Sequence, residues 1–350
     1  MSSELPVAAP AIRFTLPPEL EAHEPPEFRG LRRDGVRLLV LPRESGPVVH
    51  TRFDALGDYL RPGDLLVVNN SRTLPALLRA RDERGRPVEV RLALRRAQDT
   101  WDALLLEGRM HVGRPGMQLE FSGLHALVVD RSPDLPFLWR LRFDTCCVDL
   151  LDRIYRLGEP VRYTYVPAAL PIDLYQTVYA TEPGSVEMPS AGRALTWELL
   201  LRLRRRGIDF APLSLHTSLS SSRDDVIDAA HPNYAEHYEI SSRTADQVDE
   251  TRRCGGRVVA VGTTVVRALE TAASEDGTVR AETGWTRLHI DGRHALKTVD
   301  GLLTGLHEPQ ASHLDLLSAF VAPARLQAAY DEAVAQGYLW HEFGDANLII

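Results

Sequence analysis

The periodicity of this chain changes twice, and that change restricts its fold more than any other feature. Between residues 77 and 145, apolar residues come in short runs: 88–94, 101–106, 117–121, 124–129 and 138–143. Gly85, Gly113, Gly116 and Gly123 separate them. Runs of this length between turn residues, with no 3.6-residue period, predict a small antiparallel barrel or sandwich. The flanks read differently. Leu65-Leu66-Val67-Val68, after the Pro62-Gly63 turn, predicts a buried strand ending at Asn69-Asn70. After residue 146, helical patterns at 196–206, 242–254, 265–273, 312–320 and 324–336 alternate with strand patterns at 209–215 and 257–261. That alternation predicts βαβ units. The expected architecture is an α/β main domain, residues 1–76 and 146–350, with a mixed, largely parallel sheet. It is interrupted at 77–145 by an inserted all-β barrel-like domain. The first 30 residues, with Pro10, Pro17, Pro18, Pro25 and Pro26, read as an extended arm.

Composition narrows the function. At 350 residues and 44% hydrophobic, the chain has the material for sizeable cores and is not a disordered protein. The net charge of −8 excludes a wholly basic nucleic-acid binder but leaves room for a local patch. Lys297 is the only lysine among 40 basic residues, so that patch would be built from arginine, whose planar fork suits phosphate and carboxylate. Cys146, Cys147 and Cys254 form no disulfide framework, and no signal-peptide pattern or apolar run of about 18 residues is present. A cytoplasmic protein without membrane contact is expected, and a monomer. No metal-ligand spacing occurs, so no metal is expected. Dinucleotide, P-loop and nucleophile-elbow signatures are also absent.

Several segments could carry chemistry. Gly262-Thr263-Thr264 ends a predicted strand and opens a helix, with Arg267 one turn on. Its free amides and hydroxyls suit an anion, or they simply cap the helix. Asn69, Asn70 and Arg72 follow a strand, where ligands bind in open α/β sheets, although Asn and Ser also form turns. Tyr175, Gln176 and Tyr179 could stack a base and read its edge, or pack as half-buried residues. His216 ends an apolar strand and is followed by His231, Glu236 and His237, a set from which a general base could come. His307 and Asp345 each sit where a loop meets a regular element.

Taken in order, these segments resemble the S-adenosylmethionine:tRNA ribosyltransferase-isomerase family of queuosine biosynthesis. Leu16-Pro17 with Arg37-Leu38-Leu39 is similar to its N-terminal motif. Residues 62–72, Pro-Gly-Asp-Leu-Leu-Val-Val-Asn-Asn-Ser-Arg, followed by Pro75-Ala76, are close to its P-G-D-L-L-V-x-N-x-T-R-x-x-P-A signature. Residues 175–180, Pro189-Ser190-Ala191-Gly192, 261–264 with Arg267 and Glu270, and Gly344-Asp345-Ala346 also match. The resemblance implies an α/β domain with an inserted barrel. It also implies that S-adenosylmethionine is a substrate serving as ribosyl donor. The sulfonium acidifies the ribose 5′ carbon, a base removes a proton there, and rearrangement expels adenine and methionine. The ribosyl group ends as an epoxycyclopentanediol on a 7-aminomethyl-7-deazaguanine in tRNA. His216, His231 and His307 become candidate acid/base groups, and Glu236 and Asp345 candidates to face the sulfonium or ribose hydroxyls. Asn69, Asn70, Arg72, Tyr175, Gln176, Tyr179, Pro189, Gly192 and Gly262 become candidate donor or substrate contacts. Thr263, Thr264 and Arg267 would take phosphate or the methionine carboxylate.

The chain departs from the family pattern at several loops. P-T-A-G-L-H-F reads Pro-Ser-Ala-Gly-Arg-Ala-Leu at 189–195, and the glycine-rich L-H-V-G-x-G-T-F loop reads Leu-His-Thr-Ser-Leu-Ser-Ser-Ser at 215–222. H-x-M-H-x-E keeps only His231 and Glu236, with Tyr234 at the second histidine, and T-N-F-H-L-P becomes Thr-Gly-Leu-His-Glu-Pro at 304–309. Changed loops on kept strands are what an altered acceptor pocket would produce. Two further expectations therefore stand beside the tRNA enzyme: a relative that uses S-adenosylmethionine on a small acceptor, and a non-catalytic RNA- or ligand-binding relative.

Overall fold

The computed structural model describes residues 12–163, 165–219, 235–309 and 311–350. Eighteen strands are described. The first four are β1 (Arg37–Leu41), β2 (Val49–Arg52), β3 (Leu65–Asn69) and β4 (Ser71–Thr73). Then come β5 (Leu77–Asp82), β6 (Pro87–Arg95), β7 (Thr100–Glu107), β8 (Met110–His111), β9 (Gln118–Glu120), β10 (His125–Arg131) and β11 (Trp139–Phe143). The last are β12 (Glu182–Ser185), β13 (Asp209–Leu215), β14 (Glu236–Ile240), β15 (Val258–Val261), β16 (Glu282–Thr286), β17 (Gly301–Gly305) and β18 (Ala346–Ile349).

Nine of them form one sheet in the order β16-β14-β13-β3-β15-β17-β18-β1-β2. Its middle, β13-β3-β15-β17, is parallel, as is the β18–β1 pair, while β16, β14 and β2 join antiparallel. The sheet is thus mixed around a parallel centre, because the crossover helices serve only the central strands. On β3, Leu65 and Val67 face one core and Leu66 and Val68 the other. On β15, Val258 and Ala260 divide from Val259 and Val261 in the same way. Strands apolar on both faces are buried on both faces. One face is covered by the helices Ser242–Arg253, Thr263–Ala272 and Pro323–Ala335, the other by Trp197–Arg205. From Ile12 onward the arm packs against the main domain: Ile12 is buried, Phe14 meets Tyr330 and Trp340, and the Trp340 amide donates to the Leu20 carbonyl.

Seven antiparallel strands make the second sheet, β11-β10-β9-β5-β6-β7-β8. The β11–β7 pairing closes six of them into a barrel, leaving β8 outside the ring. Its core holds Trp101, Leu104 and Phe121, and the helix Cys147–Leu157 caps it with Leu150 and Ile154. Asp102 is fully buried and accepts from Arg96 Nε (2.7 Å), Ser132 Oγ (2.7 Å) and Arg140 Nε (3.1 Å). Arg96 also holds Asp134, which pairs in turn with Arg287 beyond β16, tying barrel to main sheet. Removing one member of a buried ionic cluster strands the others, so Asp102→Ala lowers stability by about 3 kcal/mol in denaturant melts. A loss below about 1 kcal/mol would show that both arginines relax into solvent.

No helix among the described residues is long and apolar enough to cross a membrane.

Candidate active site

The four parallel strands end along one edge of the sheet, where open α/β folds bind ligands. Asn69, the last residue of β3, is buried there. Its Oδ1 accepts from the amides of Ser71 and Leu215, both at 3.0 Å. Its Nδ2 donates to the Leu215 carbonyl (2.8 Å) and Thr264 Oγ1 (3.3 Å). Asn69 therefore bolts together the ends of β3, β13 and the helix Thr263–Ala272. Asn70 does similar work, accepting from Ser214 and donating to Thr181. Arg72, half-buried on β4, has no ion pair among the described residues.

Gly262 turns the chain from β15 into that helix at φ +100°, a region that favours glycine. Ala191 packs 3.4 Å from where a Gly262 Cβ would stand, so the short turn Ser190–Gly192 roofs the helix start. Thr263 and Thr264 supply the first helix amides, which lack intrahelical partners. Arg267 is arranged differently from the carboxylate-binding fork expected of it. Its guanidinium pairs with Glu236 and donates to the carbonyls of Leu288 (3.0 Å) and Thr286 (3.5 Å). Glu236, expected to face a sulfonium or ribose, is the carboxylate that fills this fork.

His216 stands at the end of β13. Its Nδ1 lies 2.7 Å from Ser71 Oγ, which is 2.6 Å from Ser185 Oγ. The short parallel β4–β12 pair brings these two serines together. Gly184 in β12 leaves the space the ring occupies: a Cβ there would sit 2.4 Å from Nδ1. Burial, with His237 and Arg95 adding to it, pushes the His216 imidazole down to about 4, so the ring is neutral at physiological pH. The folded state then resists protonation that the unfolded chain accepts near 6.5, so stability falls as pH drops from about 6.5 toward 4. Between pH 7 and 5, wild type is expected to lose about 2 kcal/mol more than a His216→Gln variant in denaturant titrations. Equal losses would place His216 in contact with water.

A second arrangement lies on the other side of the 190–192 turn. It is a small cleft, open to solvent, lined by Arg33, Arg193, Thr304, His341, Glu342 and Asp345 among others. Asp345 is buried and accepts from the amides of Arg37 (2.7 Å) and Leu339 (2.8 Å), and burial raises its carboxyl. Burial pushes Glu342 up to about 7, and its Oε2 has no hydrogen-bond partner among the described residues. Arg33 and Arg193 both hold Glu27, so two cations share one carboxylate at this wall. His307 is half-buried behind the wall, bonded to Thr304 Oγ1 at 2.8 Å and stacked on His313, and desolvation holds its imidazole well below the ordinary range.

The aromatic cluster read from the sequence serves the scaffold. Tyr175 and Tyr179 are buried, the first against Phe343. Gln176 spends both ends of its amide on the Thr73 backbone (3.0 and 2.8 Å), as a strand neighbour would. Pro189 precedes the 190–192 turn, and Gly192 leaves room for the Tyr179 hydroxyl. His231 lies outside the described residues. Among the described residues, no group of three His, Cys, Asp or Glu side chains is placed to hold a metal ion. Ser185, Arg33, Arg193 and Glu342 escaped the sequence reading, and Ser71 entered it only as part of the strand-end segment with Asn69, Asn70 and Arg72. Arg193 left one signal, a lone charge within Ala-Gly-Arg-Ala-Leu.

Relatives are similar to this chain along nearly its whole length. An S-adenosylmethionine:tRNA ribosyltransferase-isomerase of Thermus thermophilus is 42% identical over 352 residues, covering 97% of this chain and 99% of that one. The protein of the same name from Symbiobacterium thermophilum is 40% identical over 342 residues, 96% and 98% of the two chains. Among solved structures, S-adenosylmethionine tRNA ribosyltransferase from Thermotoga maritima is similar at 31% identity and a TM-score of 0.55. It covers 97% of this chain and 100% of its own. The model of the queuosine biosynthesis protein family matches residues 10–349, and the chain belongs to that family.

Proposed function

We propose that the chain is an S-adenosylmethionine:tRNA ribosyltransferase-isomerase, which transfers and rearranges the ribosyl group of S-adenosylmethionine onto a 7-aminomethyl-7-deazaguanine in tRNA. Adenine and methionine leave. The observations that carry the site assignment are a half-buried histidine bonded to Ser71 at the strand ends and, across the 190–192 turn, a cleft of mixed charge. The donor carries an ammonium, a sulfonium and a carboxylate. Asp345 and Glu342 suit the cations, and the Arg33–Arg193 pair, with one carboxylate between two guanidiniums, suits the anion.

His216 is the candidate base. Its low proton affinity keeps it unprotonated and able to accept, with less basicity than an exposed histidine. The sulfonium offsets that by acidifying the carbon beside it. Ser71 and Ser185 fix the ring. Asn69, Thr263, Thr264 and Gly262 shape the crevice, while Arg267 and Glu236 brace one another behind it. His307 acts through Thr304 on the cleft wall. Residues 77–145 form the inserted domain, between main-domain segments 1–76 and 146–350. A closed barrel core supports that division.

Isothermal titration with S-adenosylmethionine tests the donor half: saturable binding is expected, weakened by Asp345→Asn. Absence of binding would leave a non-catalytic relative as the reading.

A further inference from the structure

His216, His237 and Trp285 lie side by side on three neighbouring strands. His237 and Trp285 are register partners on β14 and β16, and the His216 amide donates to the His237 carbonyl at 2.9 Å. The two imidazoles stack with centroids 5.9 Å apart and planes 13° from parallel. Trp285 meets His237 nearly edge-on at 5.3 Å. The inner end of this row is bonded to Ser71, whereas the outer ring, Trp285, is 42% exposed. Beyond it stands the barrel, whose Arg96 guanidinium lies 5.2 Å from the Trp285 centroid and is pinned by Asp102 and Asp134. Arg95, next in sequence, acts electrostatically on His216 and has no ion pair among the described residues.

A row of planar rings running from an exposed tryptophan to a half-buried histidine, with the cation of Arg95 nearby, matches an unpaired nucleotide: a flat base with a phosphate beside it. We propose that Trp285 and His237 are positioning residues, a stacking platform for the unpaired base adjacent to the one being modified. This rests on the tRNA reading of the site above. The row extends two ring spacings outward from His216, further than one small acceptor at His216 would need. That reach favours a polynucleotide.

The test uses the full chain, S-adenosylmethionine and an RNA stem-loop carrying the acceptor base, with 2-aminopurine as the neighbouring loop base. Trp285→Ala is expected to raise the Kd and KM for the stem-loop between about 5-fold and 100-fold, the range for loss of one stacked base. kcat and S-adenosylmethionine affinity should stay unchanged. Trp285→Phe should restore most of the affinity, and 2-aminopurine fluorescence should be quenched by wild type but not by the alanine variant. A melting midpoint like that of wild type guards against misfolding. If wild type modifies the stem-loop and Trp285→Ala does so with an unchanged KM, the platform is wrong and the functional reading stands. If wild type releases adenine only with a small acceptor, both are wrong.

Discussion

His216→Gln is expected to lower kcat about 10²–10⁴-fold, the usual worth of a positioned general base. Glutamine can still donate to Ser71, so the serine pair and the β4–β12 contact keep a partner, but no group remains to take the proton. S-adenosylmethionine affinity should be nearly unchanged, because the mixed-charge cleft lies across the 190–192 turn from His216. A pH profile separates this from a merely structural role. Burial holds His216 near 4, so wild-type kcat/KM should persist to pH values where an ordinary histidine would already be protonated. The residual activity of the variant should not follow that limb. Retention of more than about a tenth of wild-type kcat would move the base elsewhere, to Glu342 or Asp345.

Gly184→Ala should reach the same centre without touching an ionisable group. The added carbon would stand 2.4 Å from His216 Nδ1 and 2.6 Å from its Cγ, so the ring must leave the position that bonds Ser71. Displacing a reacting group by about 1 Å lowers kcat about 100-fold. Overpacking of this kind costs about 1–3 kcal/mol of stability, so the variant should still fold. In the His216→Gln background the same change should add little to the activity loss, since both act through one imidazole. Fully additive losses would mean that Gly184 serves some other contact.

Much of this was legible in the sequence because the signals were local. The change from a strand-only pattern to strand–helix alternation placed the barrel, and Gly262 marked a helix start where the chain takes positive φ. What sequence could not show was pairing between distant segments. Arg267 looks like a free fork until β14 brings Glu236 against it, 31 residues away. Gln176 looks like a base reader until its amide closes on Thr73, 103 residues away. Ser71 and Ser185 are ordinary turn residues in their own neighbourhoods, and only the β4–β12 pair makes them supports for His216. Glu342 and Arg193 lie far apart in the chain, and the packing of the 190–192 turn against β17 helps bring them to one cleft.

The most direct measurement is mass spectrometry of tRNA bearing 7-aminomethyl-7-deazaguanine, after incubation with this protein and S-adenosylmethionine, with free adenine and methionine followed in the same reaction. The expected result is a mass gain on the tRNA equal to one rearranged ribosyl group, with adenine and methionine released in step, both abolished by His216→Gln. Donor binding with no adenine released and no gain in tRNA mass would contradict it.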